Sequence, residues 1–167
     1  RQGWRATALP ELESSIDLPG VEGRIDHLAL DAKRQHLFVA ALGNDSLEVV
    51  DLVNGERLKS IGGQSEPQGI VFLASLDRVV VSNGGRGTCD VFDAATLEKI
   101  ESIAVGPDAD NLRADRAEQR VFVAYGDGAL AILDTTTWKV AQAIPMIDPI
   151  WPEITADGKF AWVTLGG

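Results

Sequence analysis

The chain has 167 residues, 45% hydrophobic and 24% charged, and its 15 Lys and Arg against 25 Asp and Glu give a formal charge of -10. That balance sets an unfavourable field against phosphate, so nucleic acid is not an expected partner. No apolar run approaches the roughly 20 residues that cross a bilayer, so no membrane span is expected, and "RQGWRATALPELESS" has no apolar segment of signal-peptide type. The single cysteine, Cys89, excludes an internal disulfide and a cysteine-based zinc cluster.

In chain order, the first element signal is "GRIDHLALD" (23–31), where Arg24, Asp26 and His27 lead into an apolar alternation. Its second part, "DHLALD", returns in form as "QGIVFL", "DNLRAD" and "PEITAD". The four copies start at Asp26, Gln68, Asp110 and Pro152, 42 residues apart each time. A second segment follows in step: "LFVAALG" (37–43), "VVVSNGG" (79–85), "VFVAYGD" (121–127) and, after a connection two residues shorter, "AWVTLGG" (161–167). Each is β-branched or aromatic and runs into a turn, a strand signal followed by a hairpin signal.

Third segments, "SLEVVDL" (46–52), "TCDVFDA" (88–94) and "ALAILDT" (129–135), alternate and end near an Asp. Fourth segments, "RLKSI" (57–61), "KIESI" (99–103) and "VAQAI" (140–144), alternate as half-exposed outer strands do. Asn54-Gly55 predicts a two-residue hairpin between third and fourth strands, and Asn83-Gly84-Gly85 and Asp127-Gly128 predict turns between second and third. No stretch carries a helical period of useful length. Four short strands per unit of about 40 residues predict an all-β chain, a β-propeller of four-stranded antiparallel blades.

The blade-like repeats cover approximately 26–61, 68–103 and 110–144, and a fourth begins at 152 and reaches 167 after two strands. "ELESSI" (11–16) aligns with "EKIESI" (98–103) as a fourth strand, and "GWRATAL" (3–9) offers an imperfect third. Residues 4–18 are therefore expected to complete the fourth blade, for about four blades per chain. Three assemblies follow: a four-bladed ring within one chain, two chains exchanging half-blades into a ring of about eight, or a piece of a longer propeller. Self-association through half-blades is preferred among them, because it relieves the curvature of a four-blade ring and leaves no strand edge open.

The run from "LFVAALGNDSLEVVDLVNGERLKSI" through "VFVAYGDGALAILDTTTWKVAQAI" resembles the YVTN-type β-propeller repeat, over about residues 16–167. "LFVAALGN", "VVVSNGGRG" and "AWVTLGG" occupy the place of that family's signature; Val163-Thr164 keep its middle, and Val81 and Asn83 keep two other letters. The resemblance implies an extracytoplasmic home, periplasmic or surface-associated. It also implies a rival function, because some propellers similar to this repeat are lactonases that use carboxylates and a metal at the channel mouth.

In a propeller the first strand of every blade lines the central channel. The repeat aligns His27 with Gly69, Asn111 and Glu153, Asp26 with Gln68, Asp110 and Pro152, and Arg24 with Glu66 and Asp108. Arg24, Asp26, His27, Glu66, Gln68, Asp108, Asp110, Asn111, Trp151 and Glu153 thus form the candidate ligand site at one channel mouth. Carboxylates dominate, which suits a cation or a basic ligand, and Trp151 beside Glu153 could receive a cationic group. The plainer reading is that these groups satisfy backbone at strand starts.

Asp, Glu, Asn and one His are acceptable ligands for calcium or a softer divalent ion, although no resident cofactor is expected. His36 belongs to the exposed "AKRQH" connection, so a histidine-rich zinc or copper centre is not. No catalytic group stands out. Cys89 reads as a small buried hydrophobe, Ser82 lies in a turn without a nucleophile elbow, and "GGRG" joins strands rather than opening a helix. Trp162 is expected between blades and Trp4 and Trp138 at outer edges, and Asn44-Asp45-Ser46 reads as a turn. The expected function is a non-enzymatic binding or interaction scaffold for a small ligand or a protein. The alternatives are a metal-dependent lactonase-like hydrolase and a self-assembling propeller fragment without its own ligand.

Overall fold

Three antiparallel meanders succeed one another in a computed structural model that describes residues 11–126, 128–146 and the backbone of 149–154 and 161–165. The first comprises β1 (Leu28–Asp31), β2 (His36–Ala41), β3 (Ser46–Asp51) and β4 (Glu56–Gly62). The second comprises β5 (Pro67–Leu73), β6 (Arg78–Asn83), β7 (Thr88–Asp93) and β8 (Lys99–Ala104). The third comprises β9 (Leu112–Ala114), β10 (Arg120–Tyr125), β11 (Ala129–Asp134) and β12 (Lys139–Pro145). β13 (Pro149–Ile154) and β14 (Ala161–Leu165) pair as a two-stranded sheet. Residues 11–16, expected to complete it, lie in no strand. Among the described residues the one helical element is a 3-10 turn at Leu42–Asn44.

Each sheet is buried on both faces at its middle strands, as stacked blades require. β7 shows the division: Cys89 and Val91 enter a core with Leu112, Val121 and Leu133 of the third sheet, whereas Phe92 enters a core with Phe38, Leu47 and Val49 of the first. Phe38 and Phe72 stack across the first interface with ring centroids 6.2 Å apart. First strands neighbour one another, β1 beside β5, β5 beside β9 and β9 beside β13, so they form the inner wall. Trp138 packs partly buried against the core shared by the second and third sheets, while Trp4 and the side chain of Trp162 lie outside the described residues.

The turns differ from the two-residue hairpin expected at Asn54-Gly55. The connection has four residues, because Asp51 Oδ1 accepts the N–H groups of Val53 and Asn54 at 2.8 and 3.0 Å, and Gly55 closes the turn at φ 69°. Asp93 captures Ala95 and Thr96 in the same way, and Asp134 captures Thr136 and Thr137. An aspartate that binds its own backbone two and three residues on outcompetes the tighter turn.

Two buried acids recur one repeat apart and are fully absorbed by structure. Glu48 takes the hydroxyls of Ser46 and Ser60 at 2.5 and 2.7 Å and pairs with Arg57 at 3.2 Å. Asp90 takes the Ser102 hydroxyl at 2.6 Å and pairs with Lys99 at 3.2 Å. Burial of a carboxylate is tolerable only with such partners.

Candidate functional site

In the first and third sheets the ladder of the inner strand extends past its bounds to the polar residues. Asp26 N–H donates to the Ala40 carbonyl and Ala40 N–H to that of His27, both at 2.9 Å; Asp110 and Asn111 do the same with Ala124 at 2.9 and 3.1 Å. Backbone pairing therefore fixes which way these side chains leave the inner strands. The corresponding position in the second sheet is Gly69, fully enclosed: a Cβ there would overlap the Asp110 carbonyl oxygen and lie 2.9 Å from the Leu112 nitrogen. The second sheet thus contributes no side chain where the first contributes His27.

Across that gap Asp26, His27 and Asp110 come together, with one ligand-type atom from each inside 4.8 Å of the other two. Arg24 Nη2 holds Asp26 Oδ2 at 2.7 Å, and Asp26 Oδ1 stands 3.1 Å from His27 Nδ1. Gln68 Nε2 donates to Asp108 Oδ1 at 3.1 Å beside them. Burial pushes the Asp110 carboxyl above its ordinary range, and the Asp26 and Asp108 charges push it further, against the pull of His27 and Arg24.

The remaining expected members behave differently. Asn111 is buried. Glu66 is exposed, sits at φ 50°, and uses its N–H to reach Asp45 Oδ1 at 2.8 Å; it is not part of the Asp26, His27 and Asp110 cluster. Trp151 and Glu153 fall in β13, and their side chains lie outside the described residues.

Ser82 was expected in a turn, yet it is a buried residue of β6. Its Oγ accepts the Gly69 N–H at 2.8 Å and donates to the Asp110 carbonyl. It positions the cluster from behind, a role whose one sequence trace is that Ala40 and Ala124 occupy its repeat position. His36 likewise opens β2, paired between Asp31 and Asp51, instead of lying in an exposed connection. Cys89 is fully buried, and burial pushes its thiol upward, which removes it as a nucleophile.

No protein-family model and no curated protein matches the chain. Solved structures do. Kuenenia stuttgartiensis hydrazine synthase superposes with a TM-score of 0.79 at 20% identity over 95% of this chain and 46% of that one. Dihydro-heme d1 dehydrogenase NirN in complex with DHE superposes with a TM-score of 0.67 at 16% identity over 84% of this chain and 33% of that one. Both are β-propeller proteins. The chain has a β-propeller-like fold. At these identities the likeness concerns fold alone, and the chain spans less than half the length of either structure.

Proposed function

We propose that the chain is a non-enzymatic binding scaffold that takes a cationic ligand at the mouth of its inner wall. The observation that carries this reading is the convergence of Asp26, His27 and Asp110 from two different sheets, with Asp108 close enough to act on Asp110. Half-buried carboxylates that repel one another are relieved by a positive guest, and the chain's formal charge of -10 attracts one. Membership of the YVTN-type repeat and an extracytoplasmic home belong to the same proposal, supported by the repeat segments at Leu37, Val79 and Ala161.

Calorimetric titration with spermidine tests it. Binding that weakens at least about tenfold in Asp110→Asn, a loss of about 1.4 kcal/mol, supports the mouth as the site; equal affinity in wild type and variant overturns it. A lactonase-like hydrolase is the second reading, favoured by the raised carboxyl of Asp110 beside a histidine and another carboxylate. Metal-dependent turnover of an aliphatic lactone, abolished in the same variant, would replace the scaffold by the enzyme.

Self-association through half-blades is proposed on two supports: among the described residues β14 has one neighbour in its sheet, and Leu28 and Leu30 of the first sheet are 55% and 48% exposed. A mass near twice 17.8 kDa by light scattering supports it, and a strict monomer at every concentration refutes it.

A further inference from the structure

We infer that the cation taken at the mouth is a divalent transition-metal ion, held by Asp26, His27 and Asp110; this rests on the reading of the mouth as a cation site. The donor set is two carboxylates and one imidazole with their ligand-type atoms inside 4.8 Å of one another, a spacing at which one ion touches all three. Arg24 engages Asp26 Oδ2, which leaves Oδ1 turned to His27. The Asp26 and His27 side chains are 14% and 22% exposed, so an ion there would be partly withdrawn from water and still open on one side.

Two features separate this from a chance gathering of surface acids. The ligands come from the first and third sheets: the second supplies Gly69 at the position of His27, with the Asp110 main chain seated on it, while its Gln68, at the position of Asp26 and Asp110, is engaged with Asp108. The Asp110 main chain is also fixed from behind by Ser82, whose hydroxyl binds its carbonyl. A fixed main chain narrows the positions open to the carboxylate it carries, which lowers the ordering cost of holding a metal.

The ligand chemistry selects the ion. Calcium takes about six to eight oxygens, whereas one imidazole with two carboxylates suits zinc, manganese or ferrous iron. Three protein ligands leave coordination positions for water or an anionic guest.

The test titrates the full chain, freed of metal by chelation, with Zn(II), Mn(II) and Ca(II), beside spermidine as the metal-free cation. One Zn(II) or Mn(II) per chain is expected, with calcium weaker by at least about tenfold, and with His27→Gln and Asp110→Asn each weakening Zn(II) by about tenfold or more. Glu56→Gln, on the outer strand, should bind as wild type does. At substoichiometric amounts Mn(II) should broaden the ring signals of His27 in the unmutated protein more strongly than those of His36, a readout that survives any misfolding of the variants. Spermidine binding without metal binding overturns this inference and leaves the scaffold reading standing. Metal binding that ignores both variants, or that broadens His36 more than His27, also overturns it. Binding of neither probe ends both readings.

Discussion

The carbonyl oxygen of Asp110 lies directly against the α-carbon of Gly69, with no space between them for a methyl group. The neighbours of that position are the Asp110 and Leu112 main chains and the Ser82 hydroxyl, so little can give way. One residue in the second sheet thereby sets where the third sheet's entry lies, and with it the distance from Asp110 to Asp26 and His27.

Gly69→Ala is accordingly expected to cost about 1–3 kcal/mol, the range for forcing atoms into a packed interior. Urea denaturation gives the value. A cost of a few tenths, with cation binding unchanged, would mean that the sheets slide apart without consequence.

Ser82→Ala removes the partner of a buried main-chain group, the Gly69 N–H, and of a part-buried one, the Asp110 carbonyl. A buried group left unsatisfied costs about 1–3 kcal/mol. Spermidine affinity should fall as well, and Ser82→Thr should restore part of it. Lost stability with unchanged affinity would reduce Ser82 to a packing residue.

At the other end of the inner strands the first two sheets are fastened by Arg34. Its Nη1 meets Asp31 at 2.7 Å, and both terminal nitrogens meet Asp77 at 2.6 Å. The Asp31 side chain is completely buried, so it depends on this partner. Arg34→Ala should destabilise by about 1.5–3 kcal/mol, the scale of charged hydrogen bonds, and Arg34→Lys should recover less than half because the fork is lost. Full rescue by lysine would show that charge alone matters.

Acid and neutral stability should move in opposite directions at two sets of aspartates. Backbone hydrogen bonds, led by those of Asn54, Thr96 and Thr137, hold Asp51, Asp93 and Asp134 below the ordinary range. Their contribution is complete above the unfolded carboxyl value of about 3.9 and is lost as pH falls through their lowered values. Asp110 is raised, so its contribution is present below about 3.9 and is lost as pH rises through its raised value. In chelated buffer Asp110→Asn should therefore gain stability over wild type near about pH 7 and not near about pH 3. Urea midpoints at both values decide it, and an equal gain at each would refute the assignment.

Cys89 should resist a disulfide reagent in the native protein and react at a rate that follows urea concentration, since its thiol is buried and its ionisation suppressed. Rapid labelling without denaturant would show that the second sheet opens locally.

Strand positions were legible in the sequence because alternation and turn chemistry act over a few residues. The 42-residue return of Asp26 at Gln68 and Asp110 located the inner strands, and the alternating place of Cys89 predicted its burial. The turn at Asn54-Gly55 was misread because Asp51 takes two backbone N–H groups and lengthens the connection. What the repeat could not decide was which members of the polar ring meet. Glu66 and Asp110 look equivalent as candidates in the sequence, yet Glu66 is exposed and lies outside the cluster that Asp110 joins with Asp26 and His27. That outcome depends on how closely one sheet packs on the next. The packing is governed by the missing side chain at Gly69 and the hydroxyl of Ser82, whose effects are exerted between sheets and leave no local pattern along the chain.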